Sequence, residues 1–307
     1  MRHGDDFILL ATREEQRRFY TEANKAMILK LMGVLGPSKA DGDVQEIRCL
    51  NRIIRYVVVP YKSGADYIEW EADPRHVEIL MSHLGLNKDS KSLGQPGAKR
   101  EAGADETPLG NQEAKLYKSA TMRLAYLAQD RPDLQFVSKE LARYMQSPSR
   151  FDLQQLKRAV RYLKAVPRLV QRFTMQDTPD GLTTFTDSDF AGCILSRKST
   201  SCCMIFWGKH LLRSSSTTQA VLSLSSGEAE FYAAVKGASV SIGKVALLAD
   251  MGVTPSKPIS LRVGSTACLG TAGRCGAGSI RHIATPSLWI KRAVNDGRLD
   301  LSKVEGK

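Results

Sequence analysis

Apolar residues recur along this chain at spacings that change from one region to the next. In EAKLYKSATMRLAYLAQ (113–129), QFVSKELARYMQ (135–146) and FDLQQLKRAVRYLKAV (151–166) they fall three and four apart, which predicts helices with one buried face. Pro132, Pro148 and Pro167 punctuate these blocks, because proline cannot continue a helix. Beyond residue 181 the runs become short: LTTFTDSD (182–189), SCCMIFWG (201–208) and HLLRSSS (210–216) predict strands. A long helix at 226–251 follows, then a strand at 258–264, a short helix and Gly-rich loop, a helix at 285–294 and a last strand at 299–304. Three antiparallel strands, a helix and further strand and helix units predict a mixed α/β sheet.

The first 86 residues are patterned differently. FILLA (7–11) predicts a strand, and the stretch 12–27 predicts a helix capped by Thr12 with Glu15 three residues on, a capping box. Strands are expected at 27–36 and 53–61, and a helix at 74–85 with Asp73 as N-cap and Pro74 at its first position. His76 and His83 share a face of that helix but have no third metal ligand near them in sequence. Residues 87–112 have almost no large apolar side chains and many Gly, Pro and charged residues, which predicts a flexible linker.

Composition adds a bias toward a polyanionic partner. The 307 residues carry 44 Lys plus Arg against 32 Asp plus Glu, a net charge of +12. In the helix at 151–166, Lys157, Arg161 and Lys164 form one stripe that Arg168 extends past Pro167, opposite the apolar Leu156, Val160 and Leu163. Such a stripe can follow a phosphate backbone, with Arg197 and Lys198 adding further contacts, or it can be an ordinary solvated helix face. Six cysteines show no CxxC pair, which fits reduced thiols in a cytoplasmic or nuclear setting. No run of about 18 apolar residues is present, and Lys236, Lys244 and Asp250 interrupt the most apolar helix. The opening MRHGDDFILLATREE has acids where a signal peptide carries its basic leader, so neither a signal peptide nor a membrane partner is expected.

The candidate chemistry lies in acids. Alternation along the strand at 182–189 places Asp187 and Asp189 on one face. On the following helix, Ser225 and Glu228 have capping-box spacing, which would occupy Glu228 at the helix start. Glu230 lies about 200° further round and can point at the strand end. An isolated Asp and Glu at such positions serve by default as surface charge or caps. The loop GTAGRCGAG (270–278) lacks the GK(S/T) ending of a phosphate-binding loop.

Five motifs, in order, change that default: YLAQDRPD (126–133), KRAVRYLK (157–164), TDSDFAG (186–192), RKSTS (197–201) and SSGEAEFYA (225–233). From about Tyr117 onward the chain resembles the connection and ribonuclease H portion of copia-type retrotransposon polyproteins. HGDDFILLA (3–11) is similar to the reverse-transcriptase active-site hairpin, and EADPRHVEIL (71–80) fits the later palm and thumb. The resemblance implies a truncated reverse-transcriptase palm and thumb remnant at 1–86, the linker at 87–112, a helical connection at 113–179 and a ribonuclease-H-like domain with a mixed five-stranded sheet and flanking helices at 180–307. It makes Asp187 and Glu230 metal ligands of a Mg²⁺-dependent site that cuts RNA in an RNA:DNA hybrid, with Asp189 a further candidate ligand. Asp5 and Asp6 become the paired polymerase acids, and His282 falls beside the fourth-acid position, either near the scissile phosphate or as an ordinary surface histidine. The rest of a polyprotein is an implied partner.

The chain departs from that family at two further acids. Gly264 in LRVGSTA (261–267) and Ala284 in RHIAT (281–285) stand where the third and fourth ribonuclease H carboxylates belong. Two divalent ions 4 Å apart repel by roughly 16 kcal/mol at an effective dielectric of 20, and two carboxylates neutralise only half their charge. One weakly held Mg²⁺ at best is expected, with hydrolysis weak or lost. The alternative is a non-catalytic nucleic-acid-binding protein that uses the basic helix.

Overall fold

A computed structural model describes residues 2–3, 6–60, 64–98, 100, 103–273 and 287–304. Its elements are β1 (Arg2–His3), β2 (Asp6–Phe7), α1 (Arg13–Ala26), β3 (Glu46–Cys49), β4 (Arg52–Val57), β5 (Tyr67–Ala72), α2 (Arg75–His83), α3 (Asn111–Leu127), α4 (Gln135–Arg143), α5 (Arg150–Ala165), β6 (Gln171–Thr174), β7 (Leu182–Ser188), β8 (Thr200–Trp207), β9 (His210–Thr218), α6 (Ser226–Asp250), β10 (Ile259–Val263), α7 (Thr266–Gly273), α8 (Trp289–Asn295) and β11 (Leu299–Lys303).

The C-terminal strands form one five-stranded sheet in the order β11-β10-β7-β8-β9. β7, β8 and β9 are antiparallel neighbours, whereas β10 runs parallel to β7 and β11 parallel to β10. The pattern predicted a mixed α/β sheet, and this five-stranded form with flanking helices is the ribonuclease-H-like arrangement that the resemblance implied. Alternation sends Leu182, Ile205, Ile259, Leu261, Val263 and Leu299 into a core shared with Phe231, Ala234 and Ala238 of α6, Cys268 and Ala272 of α7, and Ile290 and Ala293 of α8. α6 crosses the sheet closely because Gly237 has no side chain: a Cβ there would collide with Thr186 and lie 3.4 Å from Thr184 Cγ2. One turn on, the buried Ser241 hydroxyl meets Thr184 Oγ1 at 2.6 Å. By length and composition α6 could cross a membrane, but it packs on the sheet and buries Phe231, Ala233, Ala234 and Ala238 completely.

The preceding region has its own sheet and core. β3-β4-β5-β6 is an antiparallel sheet in that order. Only β4 is anticipated by the apolar pattern, at 53–61; the expected strand at 27–36 does not form, and residue 35 makes only an isolated bridge to Val44. The expected strand at 7–11 is reduced to the short β2, paired with β1. α1 has the capping box predicted at Thr12 and Glu15. α2 starts at Arg75 with Pro74 at the N-cap position, one residue later than expected, while Asp73 still accepts a hydrogen bond from Arg75 N at 3.0 Å.

Val77, Leu80 and Leu84 around α2 pack in one cluster with Tyr117 and Leu124 of α3, Leu141 of α4, and Leu156 and Leu163 of α5. β6 pairs with β5, so chain segments on either side of residues 87–112 share a core and a sheet. The described part of 87–112 lies along α5. Leu93 N donates to Arg161 O at 3.3 Å and Ala98 N to Gln155 Oε1 at 3.1 Å. Arg100 ion-pairs with Asp152 and Glu106, its guanidinium 4.3 Å from the Tyr144 ring centre and 4.5 Å from that of Phe151. Where a flexible linker is expected, hydrogen bonds and a cation held against aromatic rings take the place of the missing apolar side chains.

Candidate active site

β7 turns its two faces to different surroundings. Leu182, Thr184 and Thr186 are buried toward α6, and Phe185 and Asp187 are exposed on the other side. Asp187 pairs across the sheet with Cys202 of β8. Beyond β10, Gly264 comes close to the same strand end.

Glu230 reaches this point from α6. Ser225 caps the helix by accepting from Glu228 N at 3.2 Å, and Glu228 Oε2 accepts from Leu224 N at 2.8 Å. Glu228 is thereby held at the helix start, as its spacing suggested, and Glu230 is turned toward β7. Glu230 Oε1 accepts from Ser188 N at 3.1 Å. The residue is only 8% exposed, and its Oε2 has no hydrogen-bond partner. Burial, and then the neighbouring Asp187 carboxylate, push its pKa up to about 7. A Cβ on Gly264 would lie 3.7 Å from Asp187 Oδ1 and 4.0 Å from Glu230 Oε2. Three chain segments thus converge, two with a carboxylate and one with a hydrogen atom.

The remaining candidates are placed as follows. Asp189 lies just past the end of β7, where its carboxylate accepts from Thr200 N and closes the loop 189–200. That contact arises because strand alternation stops at Ser188, so the expectation that Asp189 follows Asp187 ceases to apply. Asp187 and Asp189 do line a common cleft of about 260 Å³, whose far wall is Pro132, Gln135 and Phe136 at the start of α4. This wall has no counterpart in the sequence pattern, because it meets Asp187 across more than 50 residues of chain, whereas Cys202 is brought beside Asp187 by the β7–β8 pairing.

On α5, Lys157 is exposed. Arg161 Nε donates to Lys91 O at 2.6 Å, and Lys164 Nζ donates to the carbonyls of Lys88 and Ser90. Arg168 ion-pairs with the buried Glu71 at 2.7 Å. The stripe's side chains are therefore divided among separate partners. Arg197 is exposed in a turn with φ of 54°, and Lys198 N donates to Ser196 Oγ in the same turn. Asp6 pairs its backbone with His3 across the β1–β2 hairpin; Asp5, His282 and Ala284 lie outside the described residues. Among the described residues no group of three or more His, Cys, Asp and Glu is placed to hold a metal ion.

The strand order β11-β10-β7-β8-β9, with helices packed on the sheet, is a ribonuclease-H-like arrangement. The chain is similar to retrovirus-related Pol polyproteins from plant transposons. It is 29% identical over 186 residues to the retrovirus-related Pol polyprotein from transposon RE1 of Arabidopsis thaliana, covering 60% of this chain and 12% of the polyprotein. With the retrovirus-related Pol polyprotein from transposon TNT 1-94 of Nicotiana tabacum it shares 23% identity over 288 residues, 92% of this chain and 21% of that one. The chain therefore spans 12% to 21% of the length of these relatives. A crystal structure of prototype foamy virus protease-reverse transcriptase aligns with 71% of this chain and 26% of its own at 11% identity, with a TM-score of 0.26, too low to establish a common fold. No family model matches the chain.

Proposed function

We propose that the C-terminal unit is the ribonuclease H portion of a retrotransposon-type Pol protein, and that its hydrolysis of RNA in RNA:DNA hybrids is weak or lost. The observation that carries this reading is the approach of Gly264 to the Asp187 and Glu230 carboxylates, at 3.7 and 4.0 Å from its Cβ position. A side-chain carboxylate at 264 would join the pair, and glycine supplies none.

The chemistry of the pair fits one Mg²⁺ and not two. Hard carboxylate oxygens suit this ion, which binds through one or two carboxylates plus waters. Glu230 Oε2, buried without a partner, is the donor such an ion would satisfy. When bound, Mg²⁺ supplies charge stabilisation at a phosphate oxygen. The chain's own part is to hold the acids: Ser188 N fixes one Glu230 oxygen, and the Ser225–Glu228 cap fixes the helix turn that carries it. Without a compensating cation Glu230 keeps its proton well above the usual carboxylate range, a state that competes with metal binding.

The test is incubation of the purified chain with a labelled RNA:DNA hybrid and Mg²⁺. Cleavage should not exceed that of the Asp187→Asn variant. Substantial cleavage that disappears in Asp187→Asn would refute the reading.

A further inference from the structure

The cleft beside Asp187 has a composition that metal-assisted hydrolysis does not require. Its walls come from two units of the fold. On one side stand Gln135 and Phe136 of α4; on the other lie Cys202 and Met204 of β8, with Asp187 at one end. Phe136 is 50% exposed: the Lys139 ammonium lies 4.7 Å from its ring centre on one side, and the rest of the ring is open to the cleft. The walls are fixed to each other. Gln135 Nε2 donates to Ser214 O at 3.0 Å and Ser214 Oγ at 2.8 Å, and Lys139, one turn further along α4, donates to Thr200 Oγ1 at 2.9 Å. A cleft braced in this way needs little ordering before a ligand enters.

The size and chemistry limit what fits. A volume of about 260 Å³ falls just below the range of drug-sized pockets, which suits one planar ring system. Among the described residues that line it none is cationic, the adjacent Lys139 being engaged with Glu140, Thr200 and the Phe136 ring, and without a metal ion its anionic end disfavours a phosphate. The fixed hydrogen-bonding atoms accept: the exposed Asp187 carboxylate, and Gln135 Oε1, whose partner nitrogen is already committed to α4 and β9. The serine hydroxyls of β9 serve either way. Phe136 offers a stacking surface, and the acceptors favour a ring that carries N–H₂. The net charge of +12 attracts the phosphates to which such a ring would be attached.

We propose that the α4–β8 cleft takes an unstacked nucleobase with an exocyclic amino group from a single-stranded nucleic acid, stacked on Phe136 with its amino group toward Asp187. This goes beyond the hydrolytic reading and needs no metal. One base–aromatic stack of this kind is worth roughly 1–3 kcal/mol, about five- to a hundredfold in affinity. A hydrogen bond to a charged group discriminates by about tenfold or more.

The experiment is fluorescence anisotropy of the full chain with labelled all-cytosine and all-thymine DNA strands of about twelve nucleotides, a length within the usual single-strand site size. EDTA is included, so hydrolysis plays no part and the outcome is separate from that of the hybrid assay. The all-cytosine strand should bind about tenfold more tightly than the all-thymine strand, whose base presents a carbonyl and no amino group. Phe136→Ala should weaken all-cytosine binding roughly tenfold, and Phe136→Trp should retain it, which separates stacking from a folding defect. Asp187→Asn should abolish the preference for cytosine. Equal binding of the two strands, binding of neither, or a preference that persists in both Phe136→Ala and Asp187→Asn would overturn the proposal.

Discussion

Glu230 ties the ionisation of the acid pair to the stability of the fold. Its carboxyl holds a proton up to about pH 7 when folded, against a usual value of 4.5. Between those values the folded chain binds more protons than the unfolded chain, so stability should fall as pH rises through that window and level off above it. Glu230→Gln keeps the shape and removes the titration. Urea midpoints at pH 5 and pH 8 should differ in the parent, with the lower value at pH 8, and should nearly coincide in the variant. An equal slope in both would contradict the origin assigned to it. Local rules bring the two acids within reach of each other, strand alternation for Asp187 and helix rotation from a capped start for Glu230, but the motif resemblance is what singles them out as a pair. Asp189 was not, since its environment depends on where β7 ends and on the return of the chain at Thr200.

Among the elements, the contact between α6 and β7 sets the geometry of the site, and Gly237 sets the contact. Glycine to alanine inside a helix ordinarily stabilises by up to about 1 kcal/mol. Here the added methyl meets Thr186, Thr184 and Cys203 in the core, and overpacking costs typically 1–3 kcal/mol. The second effect is the larger. Gly237→Ala should lower stability by about 1–2 kcal/mol in denaturant unfolding, and a gain would show that α6 sits farther from the sheet than described. The helices α3 to α6 and the strands β7 to β10 were readable from period and punctuation. β3, β5 and β6 were not, because their sheet buries charge: Glu71, 1% exposed, is held by Arg55 at 2.5 Å and Arg168 at 2.7 Å. A strand whose buried face carries a carboxylate shows no apolar alternation. The stretch 87–112 misleads in the same way, since backbone hydrogen bonds and Arg100 hold it against α5 where composition alone suggests freedom.

On the scale of the whole molecule, two cores and two sheets meet along α4 and β9, joined by Gln135 to Ser214, Lys139 to Thr200, and Gln176 to Trp207 O at 3.0 Å. The acid pair lies beside that junction, on a ribonuclease-H-like frame whose strand order, helix cap and close crossing are all in place. The central claim is that this frame lacks only negative charge at its centre. It is tested most directly by the rate of RNA:DNA hybrid cleavage in Mg²⁺ for a Gly264→Asp, Ala284→Asp double variant against the parent chain. The Cβ at 264 meets Asp187 and Glu230 at ordinary contact distance, so the added carboxylate can be accommodated. Cleavage should appear in the double variant, be absent or far slower in the parent, and vanish again when Asp187→Asn is added. A folded double variant that cleaves no faster than the parent would contradict the claim.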